Sequence, residues 1–182
     1  MSKNKVSPPP VAPQQELDFF NGLGGFANGG REYVTILGDG QSTPAPWTNV
    51  IANPSFGFQA SVDGGGYAWA INSQQNQLTP WSNDPVSDRP GEMIYVRDED
   101  DGSVWTPTAL PIRETTPYIV THGQGFSRFE HTAHGLSLVP LPFVPPEDPS
   151  QNPRLASTNG ADRPRPPPVA TPARGVRRLY QR

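Results

Sequence analysis

Residues 78–91 (LTPWSNDPVSDRPG) place an indole, Trp81, beside a side-chain amide, Asn83, two carboxylates, Asp84 and Asp88, and a guanidinium, Arg89, in a stretch broken by three prolines. Sets of this kind bind sugars. An indole stacks on the apolar face of a pyranose, while planar amides, carboxylates and guanidinium groups take its hydroxyls in paired hydrogen bonds. The same residues also suit a connecting loop in which Trp81 plugs the core and the prolines stiffen the chain. Loops that carry function and loops that only connect draw on the same residue types, so composition leaves both readings open.

Other constellations fail on context. Residues 22–27 (GLGGFA) fit the dinucleotide-binding glycine pattern in letters alone. That pattern needs a strand before it and a helix N-terminus after it to receive a pyrophosphate, and here a proline-rich leader precedes and a strand follows. Turn glycines are the better account. The acidic run Asp98, Glu99, Asp100, Asp101, Gly102 is not a calcium loop. Gly102 stands where a third ligand belongs and Ala109 where the bidentate Glu belongs, so a charged hairpin tip is expected instead. His122, His131 and His134 with Glu130 have ligating atoms. On a strand, however, positions 131 and 134 face opposite ways, and no metal site is assigned. The absence of cysteine removes disulfides, thiolate zinc sites and cysteine nucleophiles. No cofactor is called for.

The elements that must position these groups are strands. Gly and Pro make up 18 and 24 of 182 residues and only 34% are hydrophobic, which excludes a helical bundle. Residues 1–16 and 145–182 are proline-rich with little to bury, and both ends are expected to be disordered. Between them, residues 17–144 hold all four Trp and all eight Phe. Their apolar runs are short, β-branched or aromatic, and separated by Gly, Asn or Asp. Residues 32–37 read as a strand. Residues 56–62 and 67–72 read as a hairpin turning at 63–66, and 92–97 with 103–106 as a second turning at 100–102. Residues 118–121, 126–132 and 136–139 supply three more. The fold expected is all-β, an antiparallel sandwich. The irregular stretch 72–91 is long for a compact domain, and such loops are usually functional or disordered.

Charge is uneven. Residues 1–144 carry 7 Lys/Arg against 14 Asp/Glu, and residues 145–182 carry 7 Arg against 3 acids. The tail has no interleaved aromatics before Tyr180, so nucleic acid is not an expected partner. No apolar run is long enough to cross a bilayer as a helix, and the leader lacks the apolar stretch of a signal peptide, so a cytoplasmic chain is expected.

Several segments together resemble one family: FFNGLGGF at 19–26, REYV at 31–34, TPAPWTNVIANP at 43–54, QLTPWSNDPVSD at 77–88, YVRDE at 95–99 and WTPT at 105–108. In family order they are similar to the start of the N-terminal super-sandwich domain of glycoside hydrolase family 94, formerly glycosyltransferase family 36, within its cyclic β-1,2-glucan synthase type. The resemblance implies a galactose-mutarotase-like super-sandwich, incomplete here, over residues 17–144. It implies that the sugar chemistry, an inverting phosphorolysis, belongs to an (α/α)6 barrel with its acid and phosphate site. Residues 145–182 are too few to form that barrel, so no catalytic residue is expected in this chain. The implied partners are a β-glucan oligosaccharide and a family 94 catalytic domain or a second copy. The parent synthases sit in the inner membrane with this part on the cytoplasmic side.

The resemblance implies that loops of this domain reach the sugar site without singling one out; on residue type the side chains expected to contact sugar are Trp81, Asn83, Asp84 and Arg89, with Trp47, Gln124 and Arg128 in a weaker second group. Two alternatives compete with an enzyme fragment. A stand-alone sugar-binding sandwich would need an exposed aromatic platform, for which Tyr67, Trp69 and Trp105 are available. An inert truncated product would show the loss of strand pattern after Val144.

Overall fold

The computed structural model describes residues 16–80, 84, 86–160 and 169–174, the last six through their backbone. Among them are twelve strands and no α-helix, only a single 3-10 turn at Asn28–Gly30. In chain order the strands are β1 (Gly24–Ala27), β2 (Glu32–Leu37), β3 (Thr48–Ala52), β4 (Phe56–Ser61), β5 (Gly66–Ala70), β6 (Glu92–Arg97), β7 (Val104–Trp105), β8 (Tyr118–Gly123), β9 (Phe126–Ala133), β10 (Leu136–Phe143), β11 (Asn152–Asn159) and β12 (Val169–Arg174).

They form one six-stranded sheet, β1-β2-β8-β9-β10-β11, and two three-stranded sheets, β3-β4-β5 and β12-β6-β7, with every ladder antiparallel. β9 and β10 alternate strictly between buried and half-buried positions, as strands do when one face meets a core. That face meets both small sheets. Leu37, Tyr118, Val120 and Phe129 of the large sheet pack with Ile51, Phe56, Phe58, Ala60 and Ala68 of β3–β5. Ala133, Leu136 and Leu138 pack with Val96 and Trp105 of β6 and β7. The result is the sandwich expected from the strand pattern.

Both expected hairpins are present, β4 with β5 and β6 with β7. Three features depart from the sequence reading. The glycines at 24 and 25 belong to strand β1 rather than to a turn; a Cβ on Gly24 would lie 2.5 Å from the Val34 carbonyl oxygen, so the close pairing of β1 with β2 needs glycine there. β3 was not foreseen, being a short edge strand with little alternation.

The third departure lies in the tail. Residues 145–182, expected to be disordered, contribute β11 and β12, while 161–168 and 175–182 lie outside the described residues. The leader expected at 1–16 also lies outside them, save for Glu16. Proline is tolerated because Pro153 of β11 and Pro172 of β12 sit on strands at sheet edges, where one missing N–H costs no ladder bond. Within β10, Pro140 and Pro142 have a visible effect. Pairing with β9 is interrupted between Leu138 and Phe143, whereas pairing with β11 runs unbroken over all eight residues.

Two asparagines brace the small β3–β5 sheet against the large one. The Asn49 side-chain amide donates to the carbonyl oxygens of Gly123 (3.0 Å) and Phe126 (2.8 Å). The Asn53 amide donates to those of Pro145 (2.8 Å) and Asp148 (2.9 Å), which ties down the connection from β10 to β11.

Candidate functional site

The segment from Asn72 to Gly91 is fixed at both ends to β5. Beyond the first turn it runs back along the edge of that strand: Gln77 bridges Trp69, the Leu78 N–H donates to the Ala68 carbonyl (2.8 Å), and the Ala68 N–H donates to the Thr79 hydroxyl (2.8 Å). At the far end Pro90 bridges Gly66, and the Ser61 hydroxyl donates to the Asp88 carboxylate while accepting from the Gly65 N–H (2.7 Å). Residue 65 must be glycine, because a Cβ there would enter the Asp88 carboxylate. Asp88 is thus an anchor. Beside it, burial raises the pKa of Asp63, Arg113 at 3.6 Å opposes the rise, and the Asp88 charge adds to it.

Trp81 and Asn83 lie outside the described residues. Asp84 accepts from the N–H groups of Val86 (2.9 Å) and Ser87 (3.0 Å) and from the Ser87 hydroxyl. The Ser87 hydroxyl above all, then those N–H groups, holds its pKa at about 2. Its carboxylate is therefore a turn-former that keeps one acceptor position for a ligand. Arg89 is exposed, and its charge also favours the ionised Asp84.

The weaker candidates sit elsewhere. Trp47 is half-buried, packs on the larger core and meets the Tyr33 ring edge-on at 5.9 Å. Gln124 is exposed in the β8–β9 turn. Arg128 of β9 is paired with Glu130 at 2.8 Å and reaches the Thr121 hydroxyl at 3.4 Å. The Gly123 carbonyl beside Gln124 is held by Asn49 of β3, whereas the 72–91 segment lies on β5. With β4 between them, the two locations are two strand spacings, roughly 10 Å, apart. Gln124 thus adjoins the β3 edge of the small sheet, and the 72–91 segment its β5 edge.

The three rings that a stand-alone lectin-like module would display are buried: Tyr67 at 8% exposure, Trp69 at 9% and Trp105 at 0%. They pack the interior and offer no platform. The histidines are occupied individually. His122 shares a hydrogen bond with the Ser127 hydroxyl (2.9 Å), His131 stacks on Tyr118 with centroids 3.9 Å apart, and His134 contacts Glu114 at 3.3 Å. Sequence reasoning does not single out Ser61 or Thr79, the side chains that fix the segment. Each acts through a partner distant in sequence, which no local pattern discloses.

The described residues form an antiparallel all-β sandwich whose loops carry amides and carboxylates, an architecture that by itself fixes no activity. Residues 31–166 match the family of the glycosyl hydrolase 94 supersandwich domain, and the chain belongs to that family. It is 46% identical over 145 residues to the cyclic β-(1,2)-glucan synthase NdvB of Rhizobium meliloti (strain 1021), covering 79% of this chain and 5% of the synthase. It is 32% identical to the N,N'-diacetylchitobiose phosphorylase of Vibrio furnissii, covering 78% of this chain and 18% of that enzyme. It is 31% identical to the solabiose phosphorylase of Paenibacillus borealis, covering 79% and 19%. The chain therefore spans about a fifth or less of the length of these curated relatives. No helix among the described residues is long and apolar enough to cross a membrane.

The two readings of Trp81 give opposite results on truncation. If Trp81 contacts sugar, Trp81→Ala is expected to weaken glucan binding by about 1–3 kcal/mol with the melting temperature nearly unchanged. If it plugs the core, the same change costs about 3–5 kcal/mol of stability and nothing specific to sugar. Titration calorimetry paired with thermal melts separates them.

Proposed function

We propose that this chain is the supersandwich part of a β-glucan-processing system of the cyclic β-1,2-glucan synthase type. It packs against a separate (α/α)6 catalytic domain and contributes the loop at residues 78–91, with Trp81, Asn83, Asp84 and Arg89, to a glucan-binding surface. The observation that carries this reading is the 46% identity to the synthase over most of the chain, well above that to the phosphorylases. The finer placement, on the cytoplasmic side of the inner membrane, rests on the same likeness. Burial of Tyr67, Trp69 and Trp105 weighs against an independent lectin.

Phosphorolysis requires a general acid at the glycosidic oxygen and a cationic phosphate pocket positioned together. Three of the described arginines are each drawn to a carboxylate: Arg113 to Asp63, Arg128 to Glu130 and Arg97 to Glu99. The purified chain is accordingly expected to bind β-1,2-gluco-oligosaccharides, measured by titration calorimetry, yet to release no glucose 1-phosphate from them in phosphate buffer. Absence of binding would remove the glucan-contact role. Turnover abolished by mutating one of the chain's own carboxylates would show that it carries its own active site.

A further inference from the structure

At the Ala70 end of β5 the chain makes a turn of unusual construction. Ile71 has φ +62°, and the Asn72 N–H donates across it to the Ala70 carbonyl (2.6 Å), closing a γ-turn of the strained, positive-φ kind. A β-branched residue adopts this conformation only where its surroundings impose it. They do so here: the Ile71 N–H donates to Ser55 (2.9 Å), the Ala70 N–H to Asn76 (3.1 Å) and the Asn76 N–H to Asn72 (3.0 Å), while the Asn72 side-chain carbonyl accepts from the N–H groups of Gln74 (2.9 Å) and Gln75 (2.8 Å). The strain is spent on display. Ile71 is 79% exposed, and residues 72–77 behind it are all exposed.

What the turn displays is chemically narrow. Gln74, Gln75, Asn76 and Gln77 present four side-chain amides that have no hydrogen-bond partner among the described residues, next to the methyl groups of Ile71. From residue 64 through residue 83 the chain contains no Asp, Glu, Lys, Arg or His at all. Amides without charge, beside one apolar contact, match a neutral ligand rich in hydroxyls and offer nothing to a phosphate, a carboxylate or a cationic peptide.

The position adds size to the ligand's description. Segment 77–80 runs along β5 from this turn to the Gly66 end, where a Cβ on Gly91 would touch the carbonyl oxygens of both Pro80 (2.7 Å) and Gly66 (2.8 Å). Pro80 immediately precedes Trp81. The turn and Pro80 are thus separated by the length of a five-residue strand, roughly 13 Å at the usual rise. A chain of linked sugars spans that distance and a single sugar does not.

We infer that the turn formed by Ile71 and the amides of Gln74, Gln75, Asn76 and Gln77 is a second contact site for a neutral oligosaccharide, engaging the same glucan chain as the loop that follows it. This inference rests on the glucan-binding reading above and extends it to residues on which that reading does not depend.

The test is titration of the full chain with β-1,2-gluco-oligosaccharides and with glucose, for the wild type, the triple variant Gln74→Ala/Gln75→Ala/Gln77→Ala, and Ile71→Gly. The triple variant alters only exposed side chains and is expected to bind the oligosaccharide at least about tenfold more weakly with an unchanged melting temperature. Ile71→Gly is expected to bind several-fold more weakly while melting at a higher temperature, since glycine relieves the positive φ; a merely structural turn would gain stability without losing affinity. Glucose is expected not to bind. If the wild type binds oligosaccharide and both variants bind equally well, this inference falls and the glucan-binding reading stands. If the wild type binds none, both fall.

Discussion

Lowering the pH from 6.5 to 4 is expected to remove about 3 kcal/mol of folding stability for each of two buried histidines, His122 and His131. Burial pushes both imidazoles down to about 4 from an ordinary value of 6.5. The Trp47 carbonyl opposes the shift at His122. At His131 the charge of Glu114 and the Thr106 carbonyl oppose it, and His134 adds to it. The sign follows from proton counting. Between pH 4 and 6.5 the unfolded chain holds protons on these rings that the folded chain does not, so stability is complete above 6.5 and is lost as the pH falls towards 4. Asp63, whose pKa is raised by burial, works in the opposite direction and returns a part of the loss. Two such terms, about 6 kcal/mol by pH 4, reach the lower end of an ordinary domain's stability, so unfolding is expected as the pH approaches 4. Urea midpoints taken at intervals from pH 7 to pH 4 give the slope. His122→Gln and His131→Gln should each flatten it, and a variant as steep as the wild type would remove that histidine from the account.

Trp105→Ala is expected to cost about 3–5 kcal/mol, the usual range for emptying a large, fully buried aromatic site. Trp105 is the largest side chain with no exposure, and it joins Val96 to Ala133, Leu136 and Leu138, so it holds the β6–β7 strands onto the large sheet. Its ring also lies 4.7 Å from that of His134. The indole N–H has no hydrogen-bond partner among the described residues, so Trp105→Phe keeps most of the packing and forfeits no hydrogen bond. Phenylalanine should therefore cost less than half as much as alanine. Denaturant midpoints at pH 7 measure both. A cost for alanine under about 1 kcal/mol would mean that the β6–β7 sheet is not held through this residue.

The central strands were legible in the sequence because they obey one rule, alternation with one face buried. β9 and β10 follow it strictly and β2 and β8 in part, and the turn glycines between β4 and β5 and between β6 and β7 supply the rest. β11 and β12 were not legible. Their prolines argue against a strand anywhere except at an edge, and edge position is a property of the assembled sheet. β1 was hidden for a related reason: its glycines look like turn formers until the approach of Val34 is known. At the candidate site the sequence supplied the segment proposed here but not the partners that hold it in place. The capture of Asp84 by Ser87, three residues on, is a local pattern that reading by eye can find. That of Asp88 by Ser61, across the β4–β5 hairpin, is not. Nor does composition disclose the strain at Ile71, since a φ value is set by the hydrogen bonds that close around it.

The two prolines of β10 give the large sheet a grain. Where β10 lies against β9, backbone pairing ends at Leu138 and resumes only at Phe143; where it lies against β11, every rung is present. The sheet is therefore two panels, β1-β2-β8-β9 and β10-β11, joined along a perforated seam and held there chiefly by packed side chains. Asn53, just after β3, ties the loop between β10 and β11 to the small β3–β5 sheet and so holds the β10-β11 panel from outside that seam. Among the interior ladders of the large sheet this line has the fewest backbone pairs, so amide exchange is expected to be faster along it than along β2-β8 or β8-β9.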